Sequence, residues 1–186
     1  MDNKEQQHQQ GYQRKLPGFI QKDKYLEIMK YTPLISTDIV VFNSQGEVLL
    51  GKRTIEPAKN EWFVPGGRLR INETCHAAIT RIAVQELGIV LDKKMPNQHR
   101  PKPLGVYHQT YNSNFENNDY GAHYITFAYT LELEDSMSVN YLPTPDYQHS
   151  EFKWWSISDL LKSDKVNIYC KNYFHPSPWN NAFTME

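Results

Sequence analysis

Residues 67–89 read GRLRINETCHAAITRIAVQELGI, directly after EWFVPG at 61–66. From Thr74 to Leu87 the pattern is helical, and Gly88 supplies a C-terminal stop. On a helix, residues four apart share a face, so Ile82 and Glu86 are neighbours while Arg81 and Gln85 form the adjacent row. Glu73 lies near the helix start, where a carboxylate complements the dipole, two turns before Arg81. Taken alone, the stretch is an amphipathic helix that packs Ala77, Ala78, Ile82 and Ala83 inward.

The segments on either side place this helix in a sheet protein. EWFVPGG (61–67) reads as a short strand entering a tight loop, where glycine lets the backbone approach a ligand closely. LISTDIVVFN (34–43), NSQGE and EVLLGKR (47–53) read as strand, turn and strand. Asp38 interrupts the apolar run of the first strand and Arg53 ends the second. LGVYHQTY (104–111) and AHYITFAYTLEL (122–133) are rich in aromatic and β-branched residues and predict strands. The polar link between them, NSNFENNDYG, is long enough to reach over a site. EFKWW (151–155) predicts a further strand, and SISDLLKS and KVNIYCKNYF predict closing helices. Upstream, DKYLEIMKYT (23–32) places Tyr25, Leu26 and Met29 on one helical face before Pro33 ends it. The expected class is α/β (α+β), a mixed sheet with helices on its faces.

The 186 residues fit one domain with extensions: a polar arm over 1–20, a domain over 21–174 and a tail over 175–186. A net charge of −1 gives no electrostatic reason to expect nucleic acid or an anionic membrane surface as a partner. Cys75 and Cys170 have no Cys or His companion at a zinc spacing and read as free thiols of a reducing compartment. The N-terminal MDNKEQQHQQGYQRK has no apolar signal core, and no run approaches membrane-spanning length. The expected location is cytoplasmic.

The stretch 67–89 resembles the Nudix box, whose pattern is G, five residues, E, seven residues, R-E, an aliphatic residue, any residue, E-E, any residue, G and an aliphatic residue. Gly67, Glu73, Arg81, Glu86, Gly88 and Ile89 match it. Position 82 carries Ile and position 85 carries Gln where the box has Glu. One branch of the family, the GDP-mannose mannosyl hydrolases, also lacks those two acids. The chain is similar to that branch in YTPLISTDIVVFNSQGEVLLGKRT, WFVPGGRLR, GVYHQTYNSNF, AHYITF and DYQHSEFKWW, in the same order across about residues 31–174.

The resemblance implies a Nudix fold, an α/β/α sandwich around a central mixed sheet. It implies one Mg²⁺ per site, with Mn²⁺ as a substitute, held by Glu86, the carbonyl of Gly66 and the side-chain oxygen of Gln148. These are hard oxygen ligands, which leave positions for waters and substrate phosphates. It makes His149 the general base, because imidazole titrates near neutral pH, with His123 and His108 as lesser candidates. Arg53, Arg68, Arg81 and Tyr124 fall at positions that bind substrate or stabilise the leaving group, and Asp38 also matches a functional position. Read without the family, Arg81 would pair with Glu73 or Glu86. The implied ligand is a small nucleotide sugar and the implied assembly a homodimer.

The implied reaction releases GDP and free mannose (GDP-glucose being a second substrate), by water attacking carbon-1 with inversion. If the metal need only stabilise a departing diphosphate, further carboxylates would add charge beside an anionic leaving group; Ile82 and Gln85 fit that division of labour. One departure stands out. The branch has a functional His after a Gln, whereas this chain reads GVYHQTY, with His108 before Gln109. Adjacent strand residues face opposite ways, so Gln109 takes the position and His108 does not. Two alternatives remain at this stage: cleavage at phosphorus, to a nucleoside monophosphate and a sugar 1-phosphate, or a non-catalytic domain that senses a nucleotide sugar.

Overall fold

The computed structural model describes residues 20–91, 96, 99–116, 119–133 and 141–175. Almost all of the polar arm, much of the basic loop over 90–102 and nearly all of the tail lie outside the described residues. The elements are α1 (Lys22–Tyr31), β1 (Leu34–Phe42), β2 (Val48–Arg53), β3 (Trp62–Phe63), β4 (Gly66–Arg68), α2 (Cys75–Leu87), β5 (Lys102–Tyr111), β6 (Ala122–Glu132), β7 (His149–Trp155), α3 (Ile157–Lys162) and α4 (Ile168–Asn172). The sheet runs β3-β2-β1-β6-β5, with β4 added to β1 and β7 to β2. It is mixed, because β1 and β6 run parallel while the other pairs run antiparallel.

The near-continuous apolar run of β1 has a simple cause. Ile39 and Val41 pack on one face with Ile79, Ile82, Ala83 and Leu87 of α2. Val40 packs on the other with Leu160, Val166, Cys170 and Tyr173. A strand covered on both sides cannot alternate apolar with polar residues. Burying each such Ile, Leu or Val side chain contributes about 1.5–3 kcal/mol, so this central strand anchors both layers of the sandwich.

Helix α2 is capped as its sequence predicts. The Thr74 side chain accepts from the Ala77 amide at 3.1 Å, and Gly88 closes the helix in the left-handed region at φ 65°. The inward face is Ala78, Ile79, Ile82, Ala83, Glu86 and Leu87. Ala77, expected inside, is exposed, one position off the buried stripe.

Four boundaries differ from expectation. The glycines of EWFVPGG do not sit in a free loop: Gly66–Arg68 form β4, with Gly66 paired to Asp38 and Gly67 to Thr37. Strand β7 begins at His149, two residues early, because Arg53 pairs with His149 across a bulge that leaves Ser150 of β7 unmatched. Strand β5 begins at Lys102, and α4 covers only Ile168–Asn172 of KVNIYCKNYF. Both cysteines are free, Cys170 buried and Cys75 partly so. No helix among the described residues is long and apolar enough to cross a membrane.

Candidate functional site

A cavity of about 500 Å³ opens where β1, β4, β5 and β6 meet α1 and the loop after β2. Asp38, Arg53, Gly66, Arg68, Gln109, Tyr124 and Gln148 all line it. Segments far apart in the chain thus converge on one space. Glu86, Arg81 and His149 do not line it.

Glu86 is buried on α2, and its Oε2 accepts from the Gly66 amide at 3.2 Å. Burial pushes its carboxyl up to about 8, with Asp146 and Asp38 adding to the rise while the Gly66 amide and Arg53 oppose it. An ionised carboxylate placed there calls for a cation; Gly66 abuts Glu86, and Gln148, which carries an amide oxygen, lines the adjoining cavity. That set suits Mg²⁺, which accepts neutral and anionic oxygens and retains places for phosphate. Among the described residues no group of three or more His, Cys, Asp or Glu side chains is arranged to hold a metal ion.

Gly67 shows what fills the rest of this corner. A Cβ built on it would stand 3.7 Å from Ile82 Cδ1 and 4.0 Å from Glu86 Oε1. Position 82 therefore abuts the Glu86 corner and holds an apolar side chain, while Gln85 is exposed. Gly66 is tighter, since its Cβ would lie 2.1 Å from Asp38 Oδ1 and 3.1 Å from the Thr37 carbonyl oxygen. Gly66→Ala is accordingly expected to lower stability by about 1–3 kcal/mol and to displace Asp38. A thermal melt run beside an activity assay reads both effects, and an unchanged melting temperature would refute the fit.

Asp38 lies on the cavity floor in a closed polar network. Tyr173 donates its hydroxyl to Oδ2, and Gln109 Nε2 donates to the same oxygen at 3.3 Å and to Tyr173 Oη at 2.8 Å. Tyr111 donates to Gln109 Oε1 at 3.2 Å. Burial raises the Asp38 carboxyl to about 6, against the pull of Tyr173, Gln109 and Arg53. Gln109 uses both its donor and its acceptor here. His108 points the other way, its Nε2 2.6 Å from that of His123, and neither histidine lines the cavity.

His149 is 1% exposed and packs against Phe152 with ring centroids 5.0 Å apart. Asp146 Oδ1 accepts from the His149 amide at 2.7 Å and the Gln148 amide at 2.8 Å, and lies 3.1 Å from His149 Nδ1. One carboxylate oxygen thus orients both Gln148 and His149. Burial lowers the basicity of the imidazole, and Asp146 works against that. Its Nε2 has no hydrogen-bond partner, an unusual condition for a buried polar atom.

Arg81 takes the Glu73 partnership rather than Glu86. Its Nε and Nη2 donate to the two Glu73 oxygens at 2.7 and 2.9 Å, and Nη2 also donates to the Arg68 carbonyl at 3.1 Å. The pairing holds the Glu73 carboxyl below its usual range. Arg81 thereby braces the strand that carries Arg68 without lining the cavity itself. Arg53 donates from Nε to the Pro57 carbonyl at 2.7 Å and faces the cavity.

Several contributors escape sequence reasoning. Tyr25, Tyr111, Phe115 and Tyr147 line the cavity, and Asp146 sets the Gln148–His149 turn. Asp146 carried a signal, since an Asp two residues before a polar pair is a common turn builder. Gly51 carried none: a Cβ there would stand 2.5 Å from His149 Cδ2.

Comparison with known proteins bears on family and fold. The NUDIX domain family matches residues 32–173. The chain is 35% identical over 134 residues to the low-salt glycan biosynthesis protein Agl8 of Haloferax volcanii, covering 72% of this chain and 78% of that protein. It is 27% identical over 135 residues to an RNA pyrophosphohydrolase of Orientia tsutsugamushi, covering 69% and 78% respectively. Among solved structures, a MutT protein from Methanosarcina mazei superposes with a TM-score of 0.59 at 19% identity, covering 77% of this chain and 92% of the other. The NUDIX domain of Shewanella oneidensis NrtR, solved with ADP ribose, superposes with a TM-score of 0.56 at 18% identity, covering 83% and 96%. These two likenesses bear on the fold.

Proposed function

The chain belongs to the NUDIX domain family, and on that premise we propose that it hydrolyses GDP-mannose at the sugar carbon, releasing GDP and free mannose. The observation that carries this reading is the metal corner: one buried carboxylate, Glu86, beside Ile82 Cδ1 against Gly67. A site built to activate water at phosphorus through several ions needs more negative ligands than this corner holds. Held by Glu86, Gln148 and the Gly66 carbonyl, Mg²⁺ would neutralise charge on the departing diphosphate.

Water attacks carbon-1 opposite the diphosphate, the C–O bond to GDP breaks, and the proton passes to His149 Nε2 and then to solvent. Asp146 supports this role by holding the imidazole from Nδ1, which leaves Nε2 as the atom that receives the proton. Nε2 is buried, so the ring must turn to bring it to the cavity. Arg53 and Arg68, both on the cavity wall, receive the developing negative charge, and guanidinium remains charged throughout. Tyr124 adds a hydroxyl whose ionisation is strongly disfavoured by burial, so it acts as a donor. The glycan-biosynthesis description of the Haloferax relative sits comfortably with a nucleotide-sugar substrate. A homodimer belongs to the same proposal.

The test is phosphorus NMR and mass analysis of products formed with Mg²⁺ in ¹⁸O-labelled water. Unlabelled GDP beside labelled mannose supports attack at carbon. Label in GMP or in mannose 1-phosphate would place attack at phosphorus and overturn the reading.

A further inference from the structure

One wall of the cavity is made of aromatic rings, and part of it comes from outside the family match. Helix α1 precedes residue 32, where that match begins, yet α1 and the residue before its N-cap bring Lys22, Tyr25 and Ile20 to the wall. The helix is tied down at several points. Tyr25 stacks on Phe115, with centroids 5.5 Å apart and planes 23° apart. Tyr120 donates to the Leu26 carbonyl at 3.0 Å, Lys22 pairs with Glu116, and Met29 is buried with Leu34 and Ala122.

The ring surface adjoins the phosphate-binding candidates. The Arg68 guanidinium carbon lies 5.5 Å from the Tyr25 centroid, and the Tyr111 and Tyr124 rings meet edge to face at 6.2 Å. Close to it stands one carboxylate, Glu56, which lines the cavity and accepts from Ser113 Oγ at 2.9 Å. Ser113 is two residues from Phe115, so one loop presents a ring and, through Ser113, a fixed acceptor. A carboxylate on the wall repels phosphate, and it therefore marks a place for the uncharged part of a ligand.

We propose that this wall is the nucleobase subsite, with Tyr25 and Phe115 as stacking platform and Glu56 as the group that selects guanine. The proposal deepens the nucleotide-sugar reading and rests on it. Stacking accepts any base, because every base has a π-face. Discrimination needs a directional group. A carboxylate accepts hydrogen bonds and cannot donate them, so it matches the adjacent N1–H and N2–H donors of guanine and opposes the N1 acceptor of adenine. With Arg53, Arg68 and the Glu86 corner taking the diphosphate, the rings are the remaining surface of suitable chemistry.

The experiment is isothermal titration of full-length protein in Mg²⁺ with GDP, ADP and pyrophosphate, for wild type, Tyr25→Leu, Tyr25→Phe and Glu56→Gln. Tyr25→Leu is expected to weaken GDP about 10- to 100-fold and to leave pyrophosphate unchanged, the scale of losing one stacking ring. Tyr25→Phe keeps the ring and should retain wild-type GDP affinity. Glu56→Gln should shrink the GDP-over-ADP preference about tenfold. Phe115→Leu repeats the stacking test from the other ring if Tyr25→Leu does not fold. Equal losses for GDP and pyrophosphate would make α1 a structural brace and overturn the platform. Equal wild-type affinity for GDP and ADP would overturn the role of Glu56. Because binding is read without turnover, a protein that cleaves at phosphorus still reports on the subsite. Wild type that binds pyrophosphate but no nucleoside diphosphate sinks both this proposal and the nucleotide-sugar reading.

Discussion

Glu86→Gln is expected to lower kcat by about two to four orders of magnitude in saturating Mg²⁺ while leaving the fold intact. The amide has the shape of the carboxylate and can still accept from the Gly66 amide, so what is removed is charge. A bound divalent ion is worth several kcal/mol of transition-state stabilisation, and each 1.36 kcal/mol is tenfold in rate.

The same substitution should raise the stability of the metal-free protein. A carboxyl raised from 4.5 to about 8 on folding binds its proton more tightly in the native state. Its contribution to stability is therefore complete below about pH 4.5 and is lost as pH rises toward 8. Asp38, Asp146 and Arg53 face the same carboxylate, and the difference between wild type and variant isolates Glu86 from them. In chelator, that difference should grow across this window, on the order of a few kcal/mol at its upper end. Mg²⁺ binds the ionised form and should raise the melting temperature of wild type but not of the variant. The same Mg²⁺ response in both proteins would show that the ion is held elsewhere.

His149→Gln is expected to lower kcat by about 10²- to 10⁴-fold with KM little changed, the usual scale of a lost general base. Gly51→Ala should approach that effect without touching the imidazole. Its Cβ would lie 2.5 Å from His149 Cδ2 and 2.8 Å from Phe152 Cε1, both on buried rings. The histidine must move, and a misplacement of about 1 Å can cost about 10²-fold. Steady-state kinetics of both variants decides the matter. Full activity of His149→Gln would remove the base from the proposed mechanism.

Much of this architecture was legible in the chain. The helix from Thr74 to Gly88 follows from its cap, its apolar spacing and its terminal glycine, all local signals. The double-sided burial of β1 fits an apolar run interrupted at Ser36, Thr37 and Asp38, of which Ser36 and Asp38 line the cavity. The exchange of His108 and Gln109 was readable because a strand separates neighbours to opposite faces. What escaped depends on contacts distant in sequence. That Gly66 forms a strand with Asp38 is a pairing across 28 positions, and the early start of β7 comes from its pairing with Arg53 across a bulge at Ser150. The partnership of Tyr25 with Phe115 spans 90 positions, and nothing in DKYLEIMKYT distinguishes a ring that faces a ligand from one that faces a core.

The pairing of Asp38 with Gly66 on one side and with Ala128 on the other has a further consequence. The cavity floor belongs to a central ladder of the sheet, so moving it apart means breaking backbone hydrogen bonds on both sides of β1. The wall made by α1 is held instead by a few side-chain contacts at the periphery. Local opening in proteins follows the cheapest cooperative unit. Traffic into and out of the cavity therefore belongs to the periphery: the chemistry rests on the slow-exchanging half of the fold, and entry and release on its fast-exchanging edge.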